Sequence, residues 1–285
     1  MRLVTREILG SKVETKNFNR ILTEFSRILN TNMILPNKQE EIIDTLVSIL
    51  DELRIMEQCY IRYCNLEKET LDSIEALYKE KGIESIYDYP DPNLLLRKEF
   101  ENFMIRSEII QRYKKRLCII FFDDKELDDG EKRRKKISDC IDNRRAYIGE
   151  QRYKIYKEMM KEDVEWLTKL TNIRGDIEHV EKNKLGLSEY GIAINNDVVT
   201  FQHQYLLKEN VEVNKFMRTM FYNLYTHLED FIAMLINLMC QYPLIVDLRI
   251  GTEKNNDSDW YSLDLGDREY IVNFVDDFRE KIRQL

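Results

Sequence analysis

The strongest constraint on the fold is an unbroken helical pattern over residues 38–81. Apolar residues recur there every three or four positions, as the buried side of an α-helix requires, and neither glycine nor proline interrupts them. Gly82 follows directly and can end a helix, because a residue without Cβ adopts the positive φ of a C-terminal cap. The spacing predicts one long helix or two stacked pieces. The apolar positions include Ile42, Leu46, Ile49, Leu53, Met56, Tyr60, Leu66, Ile74 and Leu77.

The same periodicity predicts helices over residues 15–30, 93–120, 134–183, 211–242 and about 270–282. Breakers between them are few, since the whole chain has only 9 Gly and 4 Pro. Pro90 and Pro92 mark a turn, and Pro243 ends the helix over 211–242. The all-apolar run 117–122 could be a buried helical turn or a short strand. Residues 251–266 are polar and predict a loop.

One segment departs from helical spacing. Residues 192–201 combine two short apolar runs with Asn195, Asn196 and Asp197 between them, and these three tolerate the positive φ of a tight turn. We therefore expect a β-hairpin insertion near 192–205. Together the patterns predict an all-α fold, a bundle of long helices in a single domain over residues 1–285, with this hairpin as a short insertion.

Charge and cysteine content narrow the class of protein. The formal net charge of −8 argues against a protein that coats nucleic acid through bulk charge, although it leaves a local basic cleft open. Five scattered cysteines without a Cys-x-x-Cys pair, and three histidines, offer little for a zinc site and fit a reducing compartment. The N-terminus lacks the apolar run of a signal peptide, and no apolar stretch is long enough to cross a membrane. We expect a cytoplasmic protein without a membrane partner.

Several common chemistries lack their motifs. The sequence has no Gly-x-x-x-x-Gly-Lys, Gly-x-Gly-x-x-Gly, His-Glu-x-x-His or Gly-x-Ser-x-Gly, so we expect no cofactor and no metal. The acidic run 123–130 is unlike a calcium loop, because aligning Gly130 with the loop glycine puts Lys125 and Lys136 at the first and last ligand positions. The basic run 132–136 could contact phosphate, although a solvated helix face explains it more simply.

Three histidines are the candidate acid–base residues, because histidine exchanges protons near neutral pH. His203 follows the predicted hairpin, where a surface strand explains it. His227 lies beside the apolar stripe of the helix over 211–242, where packing explains it. His179 stands apart because an arginine comes five positions before it, in Arg174-Gly-Asp-Ile-Glu-His179.

The segment from Arg174 to His179 has the residue types that phosphate chemistry uses, because arginine offers forked donors that match phosphate oxygens. On a regular helix the two side chains lie about 140° apart, so they could flank one groove or combine with the same pair of a second subunit. Gly175 would let another backbone approach closely. As an ordinary structural explanation, Arg174 could pair with Glu178 one turn later while Asp176 is solvated.

Arg174-x4-His179 late in a long helix, followed by another long apolar helix, resembles the HEPN superfamily over about residues 37–243. The N-terminal helix and the C-terminal loop and helix lie outside this resemblance. It implies a compact helical bundle that dimerises, with the two copies of the motif meeting in a cleft between subunits. The implied activity is a metal-independent endoribonuclease of prokaryotic toxin–antitoxin, abortive-infection or other antiviral defence systems.

The resemblance also implies roles for single residues. Arg174 would stabilise charge on the scissile phosphate, and His179 would act as general base or acid while the ribose 2′-hydroxyl attacks, leaving a cyclic phosphate. The family commonly has Asn, Asp or His directly after the arginine; here Gly175 follows it, so Asp176 and Glu178 are the candidate supporting polar residues.

The resemblance further implies partners: a second copy of the chain, an RNA substrate, and an antitoxin or other defence protein. An alternative from a different class is a catalytically inactive helical dimer that acts as a scaffold or binding module. The acidic net charge and the broad apolar stripe over 211–242 favour this alternative.

Overall fold

The computed structural model describes residues 36–178, 186–195, 198–207, 209–239, 244–249 and 260–265. Helix accounts for 82% of the residues that can be interpreted, and each sheet among them has two strands. The predicted all-α class with a short β insertion is therefore confirmed. The helices predicted over 15–30 and 270–282 lie outside the described residues.

Six α-helices follow one another in the described chain: α1 (Gln39–Lys81), α2 (Asn93–Phe122), α3 (Gly130–Asn143), α4 (Arg145–Ile148), α5 (Glu150–Glu178) and α6 (Val213–Met239). Short 3₁₀ turns occupy Pro36–Lys38, Ile83–Asp88 and Lys125–Asp128. Within the part of the chain that the structure describes, none of these helices combines the length and apolar character that crossing a membrane requires.

The long helix predicted over 38–81 is α1, a single helix of 43 residues. It ends at Lys81, directly before the glycine that the sequence predicts as its C-terminal cap. Gly82 has a φ of 78°, and its N–H donates to the carbonyl of Tyr78 at 2.9 Å. The positive φ is a conformation that glycine adopts without steric cost. Of the two alternatives left open by the spacing, one long helix is correct.

At the start of α2, Asp91 Oδ1 accepts the Asn93 N–H at 2.9 Å, directly after the predicted turn at 89–93. This helix continues to Phe122, so the apolar run 117–122 is helical and not a strand. Leu117 and Cys118 are completely buried there. The all-round apolar composition of this run reflects its burial, because a helix turn enclosed on every side needs no polar face.

The helical pattern predicted over 134–183 is interrupted at two single residues. Arg144 leaves helical geometry with a φ of −98° and a ψ of 4°, and Gly149 has a φ of 82°. Separate helices α3, α4 and α5 result. Periodicity did not reveal these breaks because the apolar spacing resumes directly after each one.

The predicted hairpin consists of the antiparallel strands β1 (Gly191–Asn195) and β2 (Val198–Gln202), with Ile192 opposite Phe201. Two shorter strands, β3 (Tyr205–Leu206) and β4 (Val211–Glu212), form a second antiparallel ladder. Because β4 ends at the residue before α6, the insertion leads directly into that helix.

A further strand pair corrects the prediction for the C-terminal region. The strands β5 (Leu244–Arg249) and β6 (Trp260–Leu265) pair antiparallel along their whole length. The loop predicted over 251–266 is therefore wrong for β6. In β6, Tyr261, Leu263 and Leu265 alternate with polar residues, as half-buried strands do, but this short signal lies next to a polar segment that hides it.

The chain divides into two compact units, each built from separated stretches of sequence. Unit 1 comprises residues 1–51, 112–164 and 225–285, and unit 2 comprises residues 52–111 and 165–224. Helices α1, α2, α5 and α6 each contribute residues to both units. The interpretation of residues 1–285 as one domain stays a prediction.

The core of unit 1 includes the C-terminal half of α6. Every residue from Phe231 to Leu238 is buried, including Asn237, whose Nδ2 donates to the hydroxyl of Tyr156 at 2.8 Å. A helix that is apolar on nearly all sides belongs to an interior, so the broad stripe predicted over 211–242 is core here. Other buried residues of unit 1 include Ile42, Leu46, Ile49, Leu117, Phe121, Ile137 and Ile141.

Unit 2 has a core of its own, with an aromatic pair in it. The rings of Phe100 and Phe216 meet edge to face, with centroids 6.2 Å apart and an interplanar angle of 64°. Aromatic pairs favour this geometry because the positive ring edge meets the negative ring face. Other buried residues of unit 2 include Leu53, Met56, Ile74, Leu96, Phe103, Met104, Leu170, Ile173, Leu206 and Met217.

Phe231→Ala should lower the free energy of unfolding by about 3–5 kcal/mol, because it removes a ring that is 1% exposed and leaves a cavity. Urea denaturation measures this change. Tyr222→Ala is the matched control on the same helix. Since Tyr222 is 57% exposed, its loss should cost at most about 0.5 kcal/mol. Equal losses in the two variants would contradict the assignment of Phe231 to the core.

Candidate functional site

Arg174 lies in the last two turns of α5 and forms an ion pair with Glu108 of α2, within unit 2. Both side chains are largely buried, with exposed fractions of 23% and 21%. Solvent screens a pair at this depth less than it screens a surface pair, so the contact holds the guanidinium against one carboxylate. Local spacing could not predict Glu108 as a partner, because it lies on another helix far away in the sequence.

The remaining residues of the predicted motif are placed only in part. His179 follows the last residue of α5 and lies outside the described residues. Asp176 and Glu178 belong to α5 by their backbone. The structure therefore places Arg174, while the pairing of Arg174 with His179 and the polar contacts of the two acidic residues stay predictions.

Gly175 lies inside the continuous helix α5. A Cβ added to it would meet no neighbouring atom within 4 Å among the residues that the structure describes. The space at this position is therefore open among the described residues, and the close approach of another backbone stays a prediction. The helix continues through Gly175 without needing its conformational freedom.

Gly175→Ala should raise the free energy of unfolding by about 0.5–1 kcal/mol, because alanine loses less backbone entropy in a helix and finds open space here. Urea denaturation measures the change. Gly149→Ala is the matched control: it also has open space, but its φ of 82° strains any residue with a Cβ, so this variant should be less stable than the wild type. A destabilised Gly175→Ala variant would show that α5 requires glycine at this position.

A second polar site in unit 2, not predicted from the sequence, is the Glu67 cluster: Glu67, Asn93, His203, Gln204 and Asn214. The side chain of Glu67, on α1, is only 8% exposed. One of its carboxylate oxygens lies 3.2 Å from Nδ1 of His203, and the other accepts from Nδ2 of Asn214 at 3.0 Å. A carboxylate this deeply buried needs such donors to offset its lost hydration, and both of its oxygens have one.

His203 is a partly exposed member of the Glu67 cluster, with 42% of its side chain reaching solvent. It lies between β2 and β3, so its predicted place on a surface strand is wrong. No local signal could have revealed its partner, because Glu67 is more than a hundred residues away in the sequence.

Asn93 connects the β insertion to the start of α2. Its Oδ1 accepts the backbone N–H of Tyr190 at 2.8 Å and Nε2 of Gln204 at 2.9 Å. Gln204 Oε1 in turn accepts the hydroxyl of Tyr63 at 3.0 Å, and the Tyr190 hydroxyl donates to the backbone carbonyl of Glu67 at 3.1 Å. These groups satisfy one another away from water, which fixes the geometry around Glu67.

Tyr63 is completely buried in this network. Burial raises the pKa of its hydroxyl far above the usual range, and the nearby Glu67 carboxylate raises it further. The pKa of Tyr190 is raised by the same two causes, burial first. Both hydroxyls therefore keep their protons in the folded state at pH values where the unfolded chain has begun to lose them.

The free energy of unfolding should fall as the pH rises above about 10, the ordinary tyrosine pKa. The raised pKa of Tyr63 makes its contribution complete below that pH and progressively lost above it, by at most about 1.4 kcal/mol per pH unit. Urea denaturation between about pH 9 and pH 11 should show a shallower decline for Tyr63→Phe. Tyr222→Phe, at an exposed position, should keep the wild-type decline; identical slopes in all three proteins would contradict this linkage.

His227 is a packed core residue, as predicted. It is buried, and its ring stacks on Phe231 with centroids 5.8 Å apart. The Nζ of Lys114 contacts its Nε2 and also lies 4.4 Å from the Phe231 centroid. An imidazole enclosed in this way serves packing within unit 1.

Comparison with known proteins identifies no relative of the chain. A scan against models of protein families matched none, and neither the curated proteins nor the solved structures gave a match. The function of the chain is therefore argued from its own residues.

Proposed function

We propose that the chain is a metal-independent endoribonuclease of the HEPN type that acts in the cytoplasm, in a prokaryotic defence or toxin system. Arg174 and His179 are its catalytic residues. The observation that carries this proposal is the position of Arg174 near the end of α5, where Glu108 holds its guanidinium. The all-α fold with long helices is the architecture that such a nuclease requires.

Arg174 stabilises the negative charge that develops on the scissile phosphate. A guanidinium has five N–H donors, more than one carboxylate accepts, so the same arginine can hold Glu108 and bind a phosphate oxygen. Charge stabilisation works best when the donor is already in place before the substrate arrives. Glu108 is therefore a positioning residue for the arginine.

His179 supplies the proton transfers of the reaction. As general base it takes the proton of the ribose 2′-hydroxyl, and the freed electron pair of that oxygen attacks the adjacent phosphorus. The bond from phosphorus to the 5′-oxygen breaks, and this leaving oxygen takes up the proton that His179 had accepted. The products are a 2′,3′-cyclic phosphate and a 5′-hydroxyl. Because Arg174 and His179 supply the charge stabilisation and the proton transfers, the attack and the bond cleavage proceed without a metal ion.

A homodimer completes the proposed site. On a regular helix, side chains five positions apart point about 140° away from each other, so one chain alone would not present Arg174 and His179 side by side. A two-fold axis beside the end of α5 brings the same pair from a second copy into one cleft. Asp176 and Glu178 supply polar contacts near this axis, RNA enters the cleft, and an antitoxin or other defence protein controls access to it.

A catalytically inactive helical scaffold is the second candidate function. The Arg174–Glu108 ion pair, which supports the nuclease, also favours the scaffold. A largely buried ion pair between two helices is equally expected of an arginine whose role is purely structural. A scaffold predicts a stable oligomer or partner complex, and no cleavage of RNA.

His179→Ala and Arg174→Ala should each slow RNA cleavage in the presence of EDTA by about a hundredfold or more, because each removes a group that acts in the transition state. Arg174→Lys should lose most of the activity too, since lysine lacks the planar fork. Glu108→Gln should lower kcat more than it changes KM. Cleavage of a labelled RNA, with identification of the cyclic phosphate, measures these effects.

Arg218→Ala is the matched control, because this arginine is exposed on α6 within the same unit. It should cleave like the wild type. Cleavage that persists in His179→Ala and Arg174→Ala would refute the assigned roles. A wild-type chain that forms a stable oligomer by light scattering and leaves RNA intact would establish the scaffold instead.

A further inference from the structure

The Glu67 cluster is separate from the proposed ribonuclease site. Asn93 of the cluster and Glu108, the partner of Arg174, both lie on α2, fifteen residues apart. At 1.5 Å per residue this separation is about 22 Å along the helix axis. One catalytic centre cannot include both positions, so His203 needs an explanation of its own.

The hydrogen bond to Glu67 determines which nitrogen of His203 carries a proton. An ionised carboxylate only accepts, so Nδ1 of His203, 3.2 Å from Oε1, must be the donor. In the neutral ring the other nitrogen, Nε2, then has a free lone pair. Since 42% of the side chain is exposed, this basic nitrogen belongs to a ring that solvent reaches.

Glu67 is held firmly enough to orient the ring. Its second oxygen accepts from Asn214 Nδ2 at 3.0 Å, and its backbone carbonyl accepts the Tyr190 hydroxyl. The carboxylate is 8% exposed, so its charge is screened little by water. A carboxylate in this position fixes the orientation of the ring and its tautomer, so that the far nitrogen is the acceptor.

The charged groups near His203 decide which substrates fit. Glu212 of β4 is a second carboxylate beside it: its pKa is lowered mainly by a hydrogen bond from Lys215, and the charge of His203 contributes too. Lys215 Nζ lies 2.8 Å from Glu212 Oε1, and Tyr205 of β3 hydrogen-bonds the same carboxylate. The carboxylates of Glu67 and Glu212 lie near His203, and the single lysine, Lys215, is already paired with Glu212. This arrangement repels anions such as phosphate and favours neutral or cationic molecules.

We propose that His203 is the proton-transfer residue of a second site, which takes a neutral or cationic substrate bearing a hydroxyl group, with Glu67 as its positioning residue. The Nε2 lone pair forms a bond to the hydroxyl proton while the O–H bond breaks, and the oxygen keeps the electron pair. Glu67, bonded to Nδ1, holds the ring in place while Nε2 carries the proton. This site does not depend on the ribonuclease activity proposed for Arg174 and His179.

The tautomer of His203 is the first measurement. In spectra of the neutral ring, full-length protein labelled with ¹⁵N-histidine should show the His203 proton on Nδ1. Long-range proton–nitrogen correlation spectra distinguish the two ring nitrogens. A proton on Nε2 in the wild type would overturn the proposal, whatever the variants do.

Acylation by diethyl pyrocarbonate, a neutral probe, measures the reactivity of Nε2. The nitrogen bonds to the carbonyl carbon of the reagent, and ethanol and carbon dioxide leave. Peptide mass spectrometry should show rapid modification of His203 and slow modification of the buried His227. Glu67→Gln should slow the reaction of His203 by about tenfold, and Asn214→Ala by less, because the carboxylate remains.

Glu69→Gln is the matched control, an exposed glutamate on the same helix, and should react at the wild-type rate. Circular dichroism establishes that each variant is folded. An unchanged His203 rate in a folded Glu67→Gln variant would overturn the role of Glu67. Protection of His203 by inorganic phosphate would overturn the assigned substrate class, since the neighbouring carboxylates should exclude that anion.

Discussion

A helix that is apolar on nearly every side has to be enclosed, and the C-terminal half of α6 places this demand on unit 1. Six of its buried side chains between Phe231 and Leu238 are Phe, Ile, Met or Leu, and each contributes up to about 1.5–3 kcal/mol on leaving water, in sum as much as the net stability of about 5–15 kcal/mol typical of a domain. Surface ion pairs such as Arg145–Glu150 are screened by water and contribute far less. Burial of apolar helix faces therefore determines the architecture, and the ion pairs adjust it.

The features predicted correctly from the sequence depend on neighbours in the sequence. The length of α1, its end at Gly82 and the β1–β2 hairpin follow from apolar spacing and from residues that adopt a positive φ. Single-residue breaks and the short strand β6 were missed because their local signals are weaker than those of their surroundings. The partners of Arg174 and His203 could not be predicted, because tertiary packing brings them together from distant parts of the chain.

Two of the largely buried carboxylates of unit 2, Glu108 and Glu67, have partners of different chemistry. Glu108 faces a guanidinium, which keeps its charge at every physiological pH, so that contact is permanent and suits the holding of a fixed charge. Glu67 faces an imidazole, a ring that can accept or release a proton, so that contact orients a group suited to proton transfer. Under the two proposals, one glutamate would therefore position a fixed positive charge and the other would position an acid–base group.

Both of these centres are attached to α2, through Asn93 at its start and Glu108 along its length. A continuous helix changes its length very little, because every turn is closed by backbone hydrogen bonds. The length of α2 therefore fixes the spacing of the two centres, even when the loops around them move. A small molecule is too short to touch both, and an RNA held at Arg174 would meet repelling carboxylates at the other centre, so ligands of the two centres should bind without competing.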